Sequence, residues 1–302
     1  MRSALAGLAL LWLAATTAHA ASGNRWESFP EPAGDWESVR PPKQKGCVRV
    51  NDIDMYYAVY GEGEPVLLVH GGLANAGVWE AQVAALATRY RVIVADSRGH
   101  GRSTRVVRRA LHYRDMADDY VALLTRLGIG KVALVGWSDG AIIGLDIAMR
   151  HPERLSGLFA HAANFDASGL TGSGGPAWGA YERWARESHR RVAGERCGQG
   201  GAGAGDYDGL KAAMRPMWRG EPRWTIGDLA KISVPTAIVL GDRDEAIRCG
   251  HTKRLASAIP GSRLMILPNV GHFAMRQDPA SYNQAIRSFL EGSPPPKLGD
   301  CH

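Results

Sequence analysis

The stretch "LVGWSDGAIIG", from Leu134 to Gly144, places a serine and an aspartate between two glycines. Apolar runs flank this polar pair at 132–137 and at 141–148. The first run is typical of a buried strand, and the second has the length and composition of a buried helix. The stretch therefore predicts a sharp strand–turn–helix junction with Ser138 at the turn.

The glycines at this junction match the pattern G-x-S-x-G. A serine on a strained turn needs neighbours without bulk two residues away, and Gly136 and Gly140 meet that requirement. A helix that starts at Ser138 presents free amide groups that favour developing negative charge. Ser138 is therefore the candidate nucleophile, and the alternative is a coincidental turn, because the bare pattern also occurs by chance.

Apolar strand-like segments alternate with helical patterns on both sides of this junction. This alternation predicts the α/β class, with a mostly parallel sheet and helices on both faces. Residues 165–230 interrupt it with a segment rich in Gly, Arg and Trp, in which helices are predicted near 177–193 and 206–218. The predicted organisation is a signal peptide (1–20), a linker or an arm ordered on contact (21–45), two halves of one core (46–164 and 231–291) around an inserted lid (165–230), and a tail (292–302).

The composition is that of a globular protein that buries a sizeable core. The chain has 302 residues, of which 45% are hydrophobic and 22% charged, and its formal net charge is +6. No basic cluster with interleaved aromatics is present, so we expect no nucleic-acid partner. The glycine-rich run at 198–203 lacks a preceding strand, and no H-E-x-x-H or P-loop pattern occurs, so we predict neither a cofactor nor a metal.

The first twenty residues, "MRSALAGLALLWLAATTAHA", read as a secretory signal. One arginine precedes an apolar stretch, and Ala18-His19-Ala20 gives a small-x-small cleavage pattern. The alternative is an uncleaved anchor, but the apolar stretch is short for a bilayer span of about 20 residues. We therefore expect a secreted or periplasmic protein, with no membrane span in the mature chain.

The four cysteines predict two disulfides, because an even number in an oxidising compartment suggests pairing. Three pairings are possible. We favour Cys47 with Cys301, which would join the two ends of the domain, and Cys197 with Cys249.

A serine nucleophile needs a base, and the chain has ten histidines. His272 is the best candidate because it follows the last predicted strand, and catalytic groups in open α/β sheets gather at the carboxyl ends of strands. His100 also follows a strand, but glycines and an arginine flank it in what reads as a structural turn. His70 ends a strand as well and belongs to the segment "HGG".

The histidine in turn needs a carboxylate that fixes its tautomer. The segment "VLGDRDEAI" ends the first strand after the lid, and in it we choose Asp244, with Asp242 second. Asp166 is a third option. An oxyanion hole needs two donors: we assign the N–H of Asp139 and the N–H of Gly72, with Leu73 as an alternative to Gly72.

The segments "HGG", "DSRGHGRS", "GWSDG", "GDRD" and "GHF", between about residues 47 and 291, resemble those of the α/β-hydrolase superfamily in kind and order. The resemblance implies an oxyanion loop, a structural turn, a nucleophile elbow, an acid turn and a catalytic histidine, in the order Ser138, Asp244, His272. The elbow looks closest to small-molecule esterases that include valacyclovir hydrolase-like and enol-lactonase-like enzymes. Ala141 stands where a second glycine often follows, and it is small enough to keep the turn.

The predicted substrate pocket includes Trp137, Trp178, Trp218 and the side chain of Asp139, which would favour a cationic group on the substrate. Further apolar residues of the lid pack it onto the core or line this pocket: Trp184, Met214, Met217 and Trp224. The predicted substrate is an ester or lactone of a small organic molecule. The alternatives are hydrolysis of C–C or amide bonds on the same three residues, and a binding protein without activity on the same fold.

Overall fold

The computed structural model describes residues 24–30, 40–105, 109–172, 174–198, 207–295 and 299–301. The predicted signal peptide at 1–20 lies outside these ranges, as does most of the glycine-rich run at 198–203.

The described strands form one eight-stranded sheet in the order β1-β2-β4-β3-β5-β6-β7-β8. The strands are β1 Gln44–Val50, β2 Ile53–Tyr60, β3 Pro65–Val69, β4 Arg91–Ala95, β5 Val132–Trp137, β6 Leu155–His161, β7 Thr236–Gly241 and β8 Arg263–Leu267. The first two form an antiparallel hairpin, β2 pairs antiparallel with β4, and all pairs from β4 to β8 are parallel. The predicted α/β class and its mostly parallel sheet are confirmed.

Helices cover both the sheet and the region above its carboxyl edge. The α-helices are α1 Glu80–Leu86, α2 Tyr113–Arg126, α3 Asp139–Arg150, α4 Trp178–Arg191, α5 Tyr207–Gly220, α6 Ile226–Leu229, α7 Cys249–Ala258, α8 Ala274–Gln277 and α9 Pro279–Leu290. Short 3-10 helices lie at Arg25–Glu27, Ala76–Trp79, Pro152–Arg154, Ala167–Gly169 and Val192–Glu195. None of the helices in the described ranges has the length and apolar character needed to span a bilayer.

The centre of the core is the pair formed by β5 and α3. Every residue of β5 is buried, as expected for a parallel strand that is covered on both faces. Ten of the twelve residues of α3 are buried as well. The chain turns from β5 into α3 at Ser138, so this turn is held between two elements that cannot move independently of the core.

The segment predicted as a lid contains the two helices expected from its sequence. The predicted helices at 177–193 and 206–218 correspond to α4 and α5. Tyr181 and Trp184 on α4 and Met214 and Met217 on α5 are buried. These side chains attach the segment to the sheet, which places α4 and α5 above the turn at Ser138.

The predicted disulfide pairing is wrong. Cys47 in β1 pairs with Cys197, and Cys249 at the start of α7 pairs with Cys301. The first bond fastens the end of α4 to the edge of the sheet, and the second fastens the tail to α7. Neither bond joins the two ends of the domain to each other.

Residues 24–30, within the predicted linker, pack as an arm on the lid. The ring of Phe29 is 4% exposed and lies 5.3 Å from Tyr181, 5.2 Å from Trp184 and 5.1 Å from Phe273. The guanidinium of Arg276 donates to the carbonyl of Pro30. The arm thus closes an aromatic cluster between the lid and the segment after β8.

Candidate active site

The turn between β5 and α3 forces Ser138 into a strained backbone conformation. Its φ is 55° and its ψ −122°, in the region that residues with side chains rarely adopt. A Cβ on Gly136 would lie 2.4 Å from the carbonyl oxygen of Gly140, and a Cβ on Gly140 would lie 2.0 Å from that of Val69. Both glycines are therefore required for space, and Ser138 is left partly exposed at the carboxyl edge of the sheet.

The structure brings Ser138, His272 and Asp244 together from three separate loops. The Nε2 of His272 lies 3.2 Å from the Oγ of Ser138. Its Nδ1 lies 3.1 Å and 3.2 Å from the two carboxylate oxygens of Asp244. The N–H groups of Ala246 and Ile247 donate to Asp244 at 2.9 Å and 2.8 Å, which fixes the carboxylate. The arrangement has the hydrogen-bond order of a serine–histidine–acid triad.

The electrostatics of the three groups favour an ion pair between histidine and aspartate. Burial disfavours the ionised form of Asp244, but the charge of His272 and its hydrogen bond hold the pKa of that carboxyl below its ordinary value. Burial likewise disfavours the imidazolium of His272, and the carboxylate of Asp244 outweighs it and raises the pKa of the imidazole. The pair therefore stabilises a proton on His272, as a general base requires when it accepts one.

The alternatives weighed from the sequence occupy other places. His100 is buried with its Nδ1 3.0 Å from the carbonyl of Arg98. His70 is also buried, and its Nε2 accepts from the N–H of Ser97. Burial lowers the pKa of His70 to about 4, so it is neutral at pH 7.

The other two candidate carboxylates accept hydrogen bonds from backbone N–H groups. Asp242 accepts from the N–H of Val270, and Asp166 caps a 3-10 helix through the N–H of Ser168. Each carboxylate is thus engaged with the backbone of its own surroundings. Among the three candidates from the sequence, the structure places Asp244 alone against His272.

Asp139 and Gly72, the residues assigned to an oxyanion hole, line the same cavity as Ser138, and Leu73 is not in its lining. Asp139 is the first residue of α3, so its N–H has no acceptor within the helix. Gly72 lies against it, since a Cβ there would be 2.4 Å from Oδ2 of Asp139. Leu73 is fully buried and its carbonyl contacts the Nε2 of His189 at 3.1 Å. The structure therefore favours Gly72 over Leu73.

A cavity of about 310 Å³ opens in front of Ser138, between the core and the lid. Its lining is mostly apolar or aromatic, with a few polar groups that converge near the serine. The lining residues are Gly72, Tyr113, Ser138, Asp139, Asn164, Leu170, Gly172, Gly174, Trp178, Trp218, Glu221, Ala246, Ile247 and His272. An apolar cavity of this size with convergent polar groups is typical of a small-molecule site.

The side chain of Asp139 faces this cavity but is already hydrogen-bonded. The hydroxyl of Tyr113 donates to its Oδ1 at 2.8 Å, and the indole Nε1 of Trp218 donates to its Oδ2 at 2.8 Å. Burial raises the pKa of the Asp139 carboxyl, and the two donors oppose that rise. The carboxylate therefore joins the turn at Ser138 to α2 in the core and to α5 in the lid.

The prediction that Trp137 lines the pocket is wrong. Its indole is 1% exposed and lies behind His272, with the ring centroids 5.6 Å apart. The Nε1 of Trp137 donates to the carbonyl of His272 at 2.8 Å. Trp137 precedes the serine on β5, and successive residues of a strand point to opposite faces. The indole of Trp137 therefore packs against His272 outside the cavity, whereas Trp178 and Trp218 line the cavity.

Several residues of the site carry no signal in the sequence. Tyr113 opens an ordinary amphipathic helix, and Glu221 follows α5 and accepts from the N–H of Tyr113 at 3.2 Å. Tyr181 donates from its hydroxyl to the carbonyl of Gly72, beside the oxyanion amides. Both contacts join residues more than a hundred positions apart in the chain, so no local pattern could have indicated them.

Comparison with known proteins gives one family for the core. Residues 64–178 match the family model of the alpha/beta hydrolase fold. The chain is 30% identical over 261 residues to RutD of Variovorax paradoxus, which is named as a carbamate hydrolase, and the match covers 78% of this chain and 96% of that protein.

Two solved structures extend this likeness. A thermophilic esterase from Thermogutta terrifontis is 26% identical with a TM-score of 0.64, over 82% of this chain and 98% of the esterase. Est816, described as an N-acyl homoserine lactone degrading enzyme, is 25% identical with a TM-score of 0.62, over 81% of this chain and all of that chain.

Proposed function

Since this chain belongs to the α/β-hydrolase superfamily, we propose that it is a serine hydrolase that cleaves carboxylic esters or lactones of small organic molecules through an acyl-enzyme. One observation carries the proposal. The Oγ of Ser138 lies 3.2 Å from the Nε2 of His272, whose Nδ1 faces a buried Asp244, and Ser138 and His272 line an apolar cavity.

In the proposed reaction Ser138 attacks the carbonyl carbon of the substrate while His272 accepts the hydroxyl proton. The carbonyl oxygen becomes an oxyanion that the N–H groups of Asp139 and Gly72 stabilise. When the tetrahedral intermediate collapses, the bond to the leaving oxygen breaks and His272 returns the proton to the alcohol. A water molecule then attacks the acyl carbon while His272 accepts its proton. When this second tetrahedral intermediate collapses, the acyl–Oγ bond breaks, His272 returns the proton to the Oγ of Ser138, and the acid is released.

Asp244 acts through the histidine in this scheme. Its carboxylate keeps the proton of the neutral imidazole on Nδ1, so that Nε2 is free to accept from Ser138. It also stabilises the imidazolium that forms in each half of the reaction. The hydrogen bonds from the backbone at 246 and 247 hold this carboxylate in place.

The cavity supports substrates of modest size. A volume of about 310 Å³ is at the lower end for small-molecule sites, and the apolar walls of Trp178 and Trp218 suit acyl or alcohol groups without charge. The relative named as a carbamate hydrolase favours a second candidate, a carbamate, whose carbonyl would meet the same nucleophile and oxyanion donors.

The test of the reaction class is covalent labelling of Ser138. A fluorophosphonate probe should label the full chain, and Ser138→Ala should lose both the label and the turnover of p-nitrophenyl butyrate. Ser168→Ala, outside the cavity lining, is the matched control and should retain both. Undiminished turnover by Ser138→Ala would refute the serine mechanism, and an unlabelled, inactive wild-type protein would favour the binding protein without activity.

A substrate panel separates the candidates within the class. It should contain neutral esters of increasing chain length, lactones, aryl carbamates, amides and esters that carry an amine. If the carboxylate of Asp139 favours a cationic substrate, Asp139→Asn should lower the preference for amino esters over neutral esters of the same length. If the preference for amino esters is unchanged, Asp139 does not select cationic substrates.

We also propose that the protein is exported, with residues 1–20 removed. The two disulfides support an oxidising compartment. Mass spectrometry of the protein from periplasmic and culture fractions should give a mature chain that starts at Ala21. An intact Met1 on protein found with reduced cysteines in the cytoplasm would contradict export.

A further inference from the structure

A second carboxylate lies beside the histidine, on the residue that follows Asp244. The Oε2 of Glu245 accepts from the backbone N–H of His272 at 3.1 Å. Its Oε1 is buried and has no hydrogen-bond partner among the described residues. Glu245 is not part of the cavity lining, so a substrate in the cavity has no direct contact with it. The carboxylate is thus aimed at the histidine loop.

The surroundings of Glu245 are shaped around this carboxylate. A Cβ on Gly271 would lie 2.4 Å from its Oε2, and a Cβ on Gly175 would lie 2.0 Å from its Cγ. The hydroxyl of Thr171, at the start of the lid, donates to the backbone carbonyl of Glu245 at 2.5 Å. Two glycines leave room for the side chain, and the lid covers it. A chance surface contact would need neither feature.

From this geometry, and on the basis of the proposed function, we propose that Glu245 is a positioning residue for His272. Its carboxylate fixes the backbone of the histidine loop through the N–H of His272. Together with the charge of Asp244, its negative charge stabilises the imidazolium that forms when Ser138 loses its proton. Glu245 touches neither the substrate nor the reacting atoms, so it acts only through the histidine.

The charges around the histidine are consistent with this role. Asp244 and Glu245 face His272 from the loop after β7, Asp139 faces it from α3, and His161 lies near it on β6. Burial opposes the charge on the imidazole, and Asp244, followed by Glu245 and Asp139, raises its pKa. Burial and the charge of Asp244 raise the pKa of Glu245 itself, and His272 opposes that rise.

The test is the pKa of the His272 imidazole, measured by NMR titration of the full-length folded chain. His272→Gln identifies the signal by its disappearance. In Glu245→Gln, which keeps an oxygen acceptor for the N–H of His272 and removes the charge, the pKa should fall by about 0.5 to 1 unit. Glu64→Gln makes the same charge change on an exposed turn before β3 and should leave the pKa unchanged.

The kinetic arm uses a neutral p-nitrophenyl ester. The acidic limb of kcat/KM should move to lower pH in Glu245→Gln, because the imidazole with its lowered pKa needs more acid before it gains a proton. The kcat at neutral pH should fall roughly tenfold with KM unchanged. Glu245→Ala, which also loses the acceptor, should lower kcat further while the fluorophosphonate label on Ser138 is retained.

The outcomes of the two proposals are distinguishable. An imidazole pKa in Glu245→Gln that matches the wild-type value would overturn the role of Glu245, whether or not the protein hydrolyses esters. A wild-type chain that takes no fluorophosphonate label would overturn the serine mechanism, and the NMR shift would still decide the electrostatic part of this inference.

Discussion

The nucleophile turn at 136–140 and the lid at 165–230 meet at the same cavity, but different forces hold them there. The turn is held by backbone sterics, since Gly136 and Gly140 each leave no room for a Cβ. The lid is held by side-chain contacts with residues far away in the chain. Tyr181 reaches Gly72, 109 residues away, and Trp218 reaches Asp139, 79 residues away.

This difference predicts two kinds of response to substitution. A backbone clash cannot be relieved by rotating a side chain, so a single added methyl group in the turn should displace the nucleophile itself. A side-chain hydrogen bond contributes about 1 kcal/mol, and its loss should leave the fold intact and change the cavity by degrees. The lid is also attached covalently, by the bond between Cys47 and Cys197.

The largest effect is expected from this covalent contact. The bond closes a loop with a sequence separation of 150 residues. Replacing both cysteines with alanine should lower the free energy of unfolding by about 4 kcal/mol, because the unfolded chain regains the entropy that the loop removed. Urea unfolding measures this loss.

The second disulfide is the control for that measurement. The bond between Cys249 and Cys301 closes a separation of only 52 residues and fastens the tail rather than α4 or α5, so its removal should cost somewhat less stability. It should also leave kcat/KM unchanged, whereas loss of the lid bond should raise the susceptibility of α4 to proteases. Equal proteolysis of α4 in both double variants would show that the disulfide does not fasten the lid.

The next effect tests the turn. In Gly140→Ala the new Cβ would meet the carbonyl of Val69 at 2.0 Å, so the backbone of the turn must move. We expect a loss of about 3 kcal/mol in stability and at least a hundredfold loss in kcat/KM, since displacement of the nucleophile by about 1 Å has that effect. Gly130→Ala, where the Cβ meets nothing within 4 Å, should match the wild type in both measurements. Wild-type activity in Gly140→Ala would mean that the turn is not sterically fixed.

The same contrast explains what could be predicted from the sequence. The turn at Ser138 depends on residues next to it, so the pattern of glycines and apolar runs was enough to predict it. The approach of Asp244 and His272 could be predicted as well, because both follow strands of one parallel sheet and the carboxyl ends of such strands share an edge. For Asp244 and His272 the order and direction of the strands therefore predict the contact, although no local sequence pattern does.

Features that depend on contacts across the fold could not be predicted in the same way. The disulfide pairing was wrong because it depends on where the end of α4 meets β1, and four cysteines allow three pairings. The prediction that Trp137 lines the pocket is wrong because the alternation of the strand directs its indole behind His272. Tyr113 and Tyr181 reach the site through tertiary packing, and the sequences of their helices do not indicate these contacts.

A smaller effect is expected where the lid supports the oxyanion loop. Tyr181→Phe removes the hydroxyl that donates to the carbonyl of Gly72, so the peptide that carries one oxyanion donor loses a constraint. We expect about a tenfold fall in kcat with an unchanged KM, because the donor matters most in the transition state. Tyr207→Phe is the matched control, since its hydroxyl has no hydrogen-bond partner among the described residues. Equal kcat values for the two variants would show that the hydroxyl of Tyr181 does not help to position the oxyanion donor at Gly72.

The smallest effect is expected at the contact between the lid and the turn itself. Trp218→Phe keeps an aromatic wall but removes the N–H that donates to Oδ2 of Asp139, so the free energy of activation should rise by about 1 kcal/mol. That hydrogen bond favours the ionised carboxylate against burial, so its loss should raise the pKa of Asp139 and extend the neutral form to higher pH.

The control for this last contact is Trp178→Phe, which changes another aromatic side chain of the cavity lining. Its indole N–H points to Glu182 in the lid, away from the turn, so the substitution changes the wall without touching Asp139. If Trp218 acts through Asp139, then Tyr113→Phe, which removes the other donor to that carboxylate, should change the pH profile of kcat in the same direction, and Trp178→Phe should not. A profile that moves equally in all three variants would mean that the aromatic wall, and not the hydrogen bond, couples the lid to the nucleophile turn.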